Sequence, residues 1–410
     1  MTEKLKKFID ECEIKLDKPF SRLDAICLHN QKKVLDAFRK NSVALRHFSG
    51  TTGYGYDDAG RLMLNKVYAD VFHTEDALVG CNIASGTHAI TLTLFGLLRP
   101  NDLMLSISGE VYDTLKGVIK GKDNGSLADF GIDFSAVPLT SEFDFDEDSI
   151  KKALIEGKPK IIYIQRSRGY EWRNSLTCAQ IENAINFIRQ IKKDSIIVVD
   201  NCYGEFVESV EPTDVGADIV VGSLIKNTGG GFAPCGGYVA GKKLYIDLIA
   251  NRLTAPSLGA EIGSSERGYR DYYQGLFVAP HTVKQALKTA LLFSCAYSSL
   301  GYSTLPDIDG ILGDIVCSIK LNNEKELIEL CQAIQSASPI ESFARPQPWD
   351  MPGYKNKVIM AAGCFVQGAS IELSCDAPLR EPYIAYLQGS LTYEHGKIAL
   401  MEALSKKGQF

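Results

Sequence analysis

ADIVVGSLIKNTGGGFAPCGGYVAG, residues 217–241, is the stretch on which the reading of the whole chain turns. It opens with Ile219, Val220 and Val221, a β-branched run of the length and character of a buried strand. Ser223 and Lys226 follow, then the glycines Gly229, Gly230 and Gly231, then a second apolar run, Tyr238 to Ala240. A lysine lodged between a buried strand and a glycine-rich loop is poorly placed to extend into solvent. Desolvation favours the neutral amine, so the expectation is a lowered pKa and a nucleophile able to form a Schiff base. The plain alternative is an exposed loop lysine, and the residue by itself does not choose. A nucleotide-binding P-loop is excluded, because that pattern, G-x-x-x-x-G-K-[ST], places its lysine after the glycines.

Outward from this stretch the same grammar repeats. ALVGCNI (77–83), DLMLSIS (102–108), PKIIYIQ (159–165), SIIVVD (195–200), ADIVVGS (217–223) and GGYVAG (236–241) all read as buried strands. Helical stretches lie between them, the clearest from Thr177, a capping residue, to Ile191, with Ile181, Ile185, Ile188 and Ile191 on one face. Alternating strand and helix predicts an α/β layer with a mostly parallel sheet. Residues 1–47 read as helix on the spacing of Phe8, Ile9, Ile14, Leu16, Val34, Leu35 and Phe38. HFSGTTGYGYDDAGR (47–61) is too rich in Gly, Thr and Asp for a regular element. After Pro280 a long helix is expected through VKQALKTALLFSCAYSSLG, ended by Gly301. Beyond it DIVCSIKL, KVIMAAGCFV and ASIELSC are separated strands, and NEKELIELCQAIQSA and LTYEHGKIALMEALSKK are helices. The expected organisation is an N-terminal helical segment (1–47), a large domain (48–285) and a smaller α+β domain (286–410).

Composition narrows the class. The chain has 410 residues, 45% hydrophobic and 23% charged, the balance of a globular protein of two domains. Its 44 basic and 50 acidic side chains give a net charge of −6 with no basic stripe, which argues against nucleic acid as a partner. Eleven cysteines, an odd number without a C-x-x-C pair, predict reduced thiols and neither a disulfide framework nor a metal site. MTEKLKKFIDECEIKL lacks the apolar core of a signal peptide, and no run reaches the roughly 20 apolar residues that span a bilayer. The cytoplasm is the expected location, with no membrane partner.

Two further strand ends carry complementary chemistry. SIIVVDNCYGEF places Asp200 at the C-terminal end of a strand, where open α/β sheets put their ligands. Its plain alternative is a loop-opening aspartate that caps the next turn. In ALVGCNIASGTHAITLTLFGLL a strand is followed by Ser85, Gly86 and Thr87 and then an apolar helix. Hydroxyls and free N–H groups at a helix N-terminus make a phosphate site, although an ordinary N-cap looks the same. Taken together, a phosphate turn, a strand-end acid and a lysine are what pyridoxal 5′-phosphate (PLP) requires. The acid keeps the pyridine nitrogen protonated, so the ring can accept the electrons left at a substrate Cα.

FSGTTGYGYDDAGR, SGTHAI, SGEVYDTL, IQRSRGYEWR, VDNCYGEFVE, GSLIKNTGGGFAPCGGY and YQGLFVAP cover most of residues 48–280. In these motifs the chain resembles the methionine γ-lyase-like family, which takes in cystathionine β-lyase-related "aluminium resistance" proteins. The resemblance implies the aspartate-aminotransferase-like fold of type I PLP enzymes. It implies that Lys226 holds PLP and removes the Cα proton, with Asp200 on the pyridine nitrogen. Ser85, Gly86, Thr87 and Ser223 would bind phosphate, and Tyr112 would stack on the ring and protonate a leaving thiolate. Tyr112 could equally be a core aromatic. Tyr56 (or Tyr54) and Arg61 would reach the phosphate of a neighbouring subunit, making a homodimer or homotetramer with shared sites. A substrate carboxylate calls for an arginine's fork; Arg380 is first by position, with Arg166, Arg168 and Arg173 as rivals. The implied reaction is carbon–sulfur bond cleavage in a small sulfur amino acid: cystathionine, cysteine or methionine. Transamination, other Cα chemistry, and a PLP-binding regulatory protein with little turnover stay open.

Overall fold

The computed structural model describes residues 2–351 and 354–407. In the large sheet the strands are β1 (Asp76–Gly80), β2 (Leu103–Ser106), β3 (Asp133–Ala136), β4 (Ile161–Gln165), β5 (Ile196–Asp200), β6 (Ile219–Ser223) and β7 (Gly237–Gly241). Their spatial order is β1-β7-β6-β5-β4-β2-β3. The ladders from β6 through β3 are parallel, and β7 alone runs against both its neighbours. Helices cover both faces, so β4 to β7 are buried at every residue and read as unbroken apolar runs. β3 escaped the sequence reading, because its residues, Asp-Phe-Ser-Ala, are no more than half-buried.

The chain's helices begin with α1 (Glu3–Lys40), α2 (Ala59–Val71), α3 (Gly86–Leu97), α4 (Asp113–Lys120), α5 (Glu147–Gly157) and α6 (Cys178–Ile191). α6 starts where its cap predicts: Thr177 and Gln180 form a reciprocal capping box. On α1 the buried stripe runs Leu5, Ile9, Cys12, Leu16, Pro19 and Leu23, whereas Ile14, expected in the stripe, is 76% exposed. Next come α7 (Lys243–Leu253) and the long α8 (Arg270–Ser299). The expected start after Pro280 is corrected, since α8 begins ten residues earlier, at Arg270, and carries Pro280 inside it. An interior proline costs about 3 kcal/mol, and here Tyr272, Tyr273, Leu276, Ala279 and Val283 bury apolar surface on both sides of it. Residue 285 falls within this continuous helix.

The smaller sheet contains β8 (Ser303–Leu305), β9 (Val316–Lys320), β10 (Val358–Ala361), β11 (Ser374–Pro378) and β12 (Ile384–Gln388), antiparallel in the order β10-β11-β12-β9-β8. Helix α9 (Glu324–Ala337) and α8 pack against this sheet, and α10 (Tyr393–Lys406) packs against both helices. ASIELSC, expected as a strand, contributes only its last two residues to β11, and β12 was missed altogether. Strand alternation divides the sheet: Cys317, Ile319, Ile359, Cys375 and Leu387 join the core. Met360, Asp376 and Tyr386 stand in one cross-strand row on the other face.

The glycine run after Lys226 has a packing role. Gly230 and Gly231 adopt φ +56° and +85°, open to glycine at no steric cost. A Cβ on Gly230 would strike the carbonyl of Gly275 in α8, and a Cβ on Gly275 would strike that of Gly229. The close approach is therefore backbone to backbone, loop to helix, and it anchors the segment carrying Lys226. We expect Gly275→Ala to cost about 1–3 kcal/mol, the usual penalty of overpacking. Thermal melting reads the loss, and a variant that melts with the wild type overturns the contact.

Candidate active site

The C-terminal ends of β4, β5 and β6 and the start of α3 converge on a cavity of about 530 Å³, closed from above by the smaller sheet. Ser85, Gly86, Thr87, Tyr112, Asp200, Ser223, Lys226 and Arg380 all line it. A second cleft, about 400 Å³, lies between α9, α10 and residues 342–345 and contains none of them.

At the head of α3 the Ser85 hydroxyl accepts the His88 N–H at 3.1 Å, so the N-cap reading holds as well. The N–H groups of Gly86 and Thr87 meet no acceptor among the described residues. They remain open donors at the positive end of a 12-residue helix. A Cβ on Gly86 would stand 3.1 Å from Ser223 Cβ and 3.3 Å from Cys202 Sγ, so glycine lets the helix start seat against two strand ends. Thr87 Oγ1 lies 3.0 Å from the Tyr112 hydroxyl, and the Tyr112 N–H donates to Gln165 at 3.0 Å. Burial, then the charge of Asp200, pushes the Tyr112 hydroxyl above its ordinary pKa and keeps its proton on.

Asp200 is 3% exposed. One oxygen accepts from the Tyr163 hydroxyl at 3.2 Å, the other from the Cys202 N–H at 3.1 Å, and no ion pair reaches it among the described residues. Burial raises its pKa, while Cys202, Lys226 and Tyr163 oppose the rise. An acid in this state gains from a cationic neighbour.

Lys226 is half-buried, its Nζ 3.7 Å from the centroid of the Tyr203 ring. The expected fall in its pKa is corrected. Burial does act to lower it, but Tyr203, Cys202 and Asp200 around the amine outweigh burial and hold the ammonium above the usual lysine value. Tyr203 itself sits at φ +73°, a conformation rare for a non-glycine residue and costly to hold. Asn227 keeps that turn beside Lys226, donating to the carbonyls of Tyr203 and Glu205 at 3.0 and 2.9 Å.

The arginines separate cleanly. Arg166 is fully buried and divided among Asn201, Glu208 and the carbonyls of Leu176 and Gly204. Arg173 serves Glu171 and the carbonyls of Ser167 and Asn174. Arg168 borders the cavity but is forked onto Asp314 at 2.9 and 3.1 Å. Arg380 lines the cavity, exposed and donating only to the Tyr170 carbonyl at 3.1 Å. Tyr56 and Arg61 lie outside this cavity. Arg61 is buried, its terminal nitrogens donating to the carbonyls of Gly55, Glu261 and Gly263 while its Nε has no partner among the described residues, so it is not a solvated surface residue in the single chain. The rings of Tyr54 and Tyr56 meet at a tilt, 5.4 Å between centroids, and stay exposed.

Sequence reading missed Tyr203, Asp376, Tyr386 and Gln388, all on the cavity wall. It also passed over Glu205, which was in view inside VDNCYGEFVE. Glu205 is fully buried beneath β6, where a Cβ on Gly222 would lie 2.5 Å from its Oε1. Oε1 accepts from the Tyr238 hydroxyl at 2.9 Å, and Oε2 has no partner among the described residues.

Fold and site define a class, the aspartate-aminotransferase-like α/β fold of type I PLP enzymes. The chain belongs to the methionine gamma-lyase family, which it matches over residues 5–408. It is 47% identical to the uncharacterized protein YnbB of Bacillus subtilis, over 98% of this chain and 96% of that one. A crystal structure from Clostridium novyi NT, described as a carbon-sulfur lyase involved in aluminum resistance, is 46% identical with a TM-score of 0.95, covering 99% of this chain and 96% of that one. The pyridoxal-5′-phosphate dependent protein YhfS of Escherichia coli, 17% identical with a TM-score of 0.63 over 93% of this chain and 96% of that one, shares the fold alone.

Burial pushes the Glu205 carboxyl from 4.5 to about 8. Between those values the native state keeps a proton that the unfolded chain releases, so stability falls as pH rises through this window. Glu205→Gln removes the titration. Its melting temperature relative to wild type should climb from pH 5 to pH 8 and level off above; a pH-independent difference rules out a buried neutral acid.

Proposed function

We propose that this chain binds PLP through Lys226 and cleaves a carbon–sulfur bond in a small sulfur amino acid. The observation that carries the reading is the convergence on one cavity of open N–H donors, a buried acid without a salt-bridge partner, and a lysine. When bound, PLP supplies an electron sink for the pair left at the substrate Cα. The residues fit it. Gly86 and Thr87 offer N–H groups, and Ser85, Thr87 and Ser223 hydroxyls, to a phosphate. Asp200, raised by burial, is stabilised by the positive pyridine nitrogen it would face.

The chain's own groups then divide the work. Arg380, the cavity arginine with no carboxylate partner, takes the substrate carboxylate by its fork. Lys226, released to a neutral amine, takes the proton from Cα. Tyr112, kept protonated by burial, gives its hydroxyl proton to the departing sulfur. The exposed Tyr54 and Tyr56, with Arg61 fixing their loop, would meet a neighbouring subunit, so the working unit is a homo-oligomer with shared sites.

Borohydride reduction of the PLP-loaded protein should fix the cofactor on Lys226, as mapped by peptide mass spectrometry. An adduct on another lysine removes the assignment. Thiol, ammonia and keto acid should appear from a sulfur amino acid alone, whereas a requirement for a keto-acid acceptor makes the protein an aminotransferase. Asp200→Asn should still load PLP while kcat falls about a hundredfold or more, as when an electrostatic stabiliser is lost. Wild-type turnover in that variant excludes Asp200 from the chemistry.

A further inference from the structure

One carboxylate on the cavity wall is left unused by this mechanism. Glu110, Asp113 and Glu171 border the cavity, but each is paired, with Lys120 at 3.1 Å, Lys116 at 2.7 Å and Arg173 at 2.7 Å. Asp200 belongs to the floor, among the large-domain strand ends. Asp376 comes from the opposite wall, mid-strand on β11, flanked in register by Met360 and Tyr386. It accepts from the Gln388 amide at 3.1 Å and from the Tyr170 hydroxyl, and no ion pair reaches it among the described residues. Lys226, the cation that faces it, rests on the Tyr203 ring instead.

The surroundings of Asp376 are aromatic. Tyr170 and Tyr386 meet at 5.2 Å between centroids, Tyr170 and Tyr354 at 5.8 Å, and all three line the cavity. A carboxylate without a salt-bridge partner, on a cavity wall shared with three tyrosines, is chemistry that receives an ammonium group by charge. Burial pushes Asp376 up to about 6, with Gln388, Tyr170 and Lys226 opposing the rise, so the carboxylate form prevails at pH 7.5. A neutral side chain placed against it would cover that charge without an ion-pair partner.

We propose that Asp376 receives a positively charged group at the far end of the substrate side chain, so that the site prefers amino acids with a second ammonium. Arg380 then holds the near carboxylate, two residues beyond the end of the strand carrying Asp376. The inference rests on reading the cavity as an amino-acid site and selects a diamino thioether over a neutral one.

Binding to the PLP-loaded protein, measured by calorimetry, tests this apart from turnover. Two isosteric pairs serve as probes: L-ornithine against L-norleucine, and L-lysine against L-2-aminoheptanoate. In at least one pair the wild type should bind the charged member at least about tenfold more tightly, the factor one well-made charged contact confers. Asp376→Asn, which keeps the shape, should bring that ratio to within about threefold by weakening the charged member alone. Equal or reversed affinities in the wild type overturn the proposal, as does an unchanged ratio in Asp376→Asn. If that variant does not fold, the wild-type ratios decide. Charged preference without thiol release from any sulfur amino acid retires the lyase reading and keeps Asp376. Thiol release without charged preference does the reverse.

Discussion

Asp200 holds an unneutralised carboxylate at the end of β5, under two hydrogen bonds and 3% exposure. Such burial is expensive unless a cation shares the space; the Lys226 amine is that cation, and much of the surrounding architecture holds the two groups at one cavity. β4 contributes Tyr163 and, in register with Asp200, Gln165, which in turn fixes the backbone of Tyr112. β6 ends beside it in Ser223, and α3 begins against both through Gly86. Fully apolar strands deliver all of these groups to one edge, because a parallel sheet covered on both faces exposes polar chemistry only where its strands end.

The Lys226 segment is held from behind. Asn227 bridges two carbonyls of the preceding loop, and Gly230 fits against α8, Gly229 against the Leu224 carbonyl and Gly231 against Leu391, with no room for a side chain. Helix α8 also packs against α1 and the smaller sheet, so one helix links the lysine loop to the wall that carries Asp376. Its interior Pro280 is tolerated because the segments before and after it are both buried. The raised pKa of Lys226 follows from the same enclosure: burial opposes charge, but a tyrosine, a cysteine and an aspartate crowd one amine.

The sequence by itself determined the α/β layering and the residues at strand ends. Lys226, Asp200, Ser223 and the Ser85–Thr87 turn were legible because each interrupts an apolar run at its C-terminal limit, a pattern local in sequence. Thr177 marked its helix for the same reason. Tertiary structure decided what local pattern cannot carry. Asp376 and Gln388 alternate with core residues inside short strands, and only the cross-strand register shows that their face meets the lysine across the cavity. Arg166, Arg173 and Arg380 are alike as letters; their partners, brought in from distant segments, show which guanidinium is left free. The glycine run looked like a ligand loop, and only the path of α8 shows that its missing side chains make room for another backbone. Local spacing records which face a residue takes, whereas a partner's identity depends on chain segments that folding alone brings together.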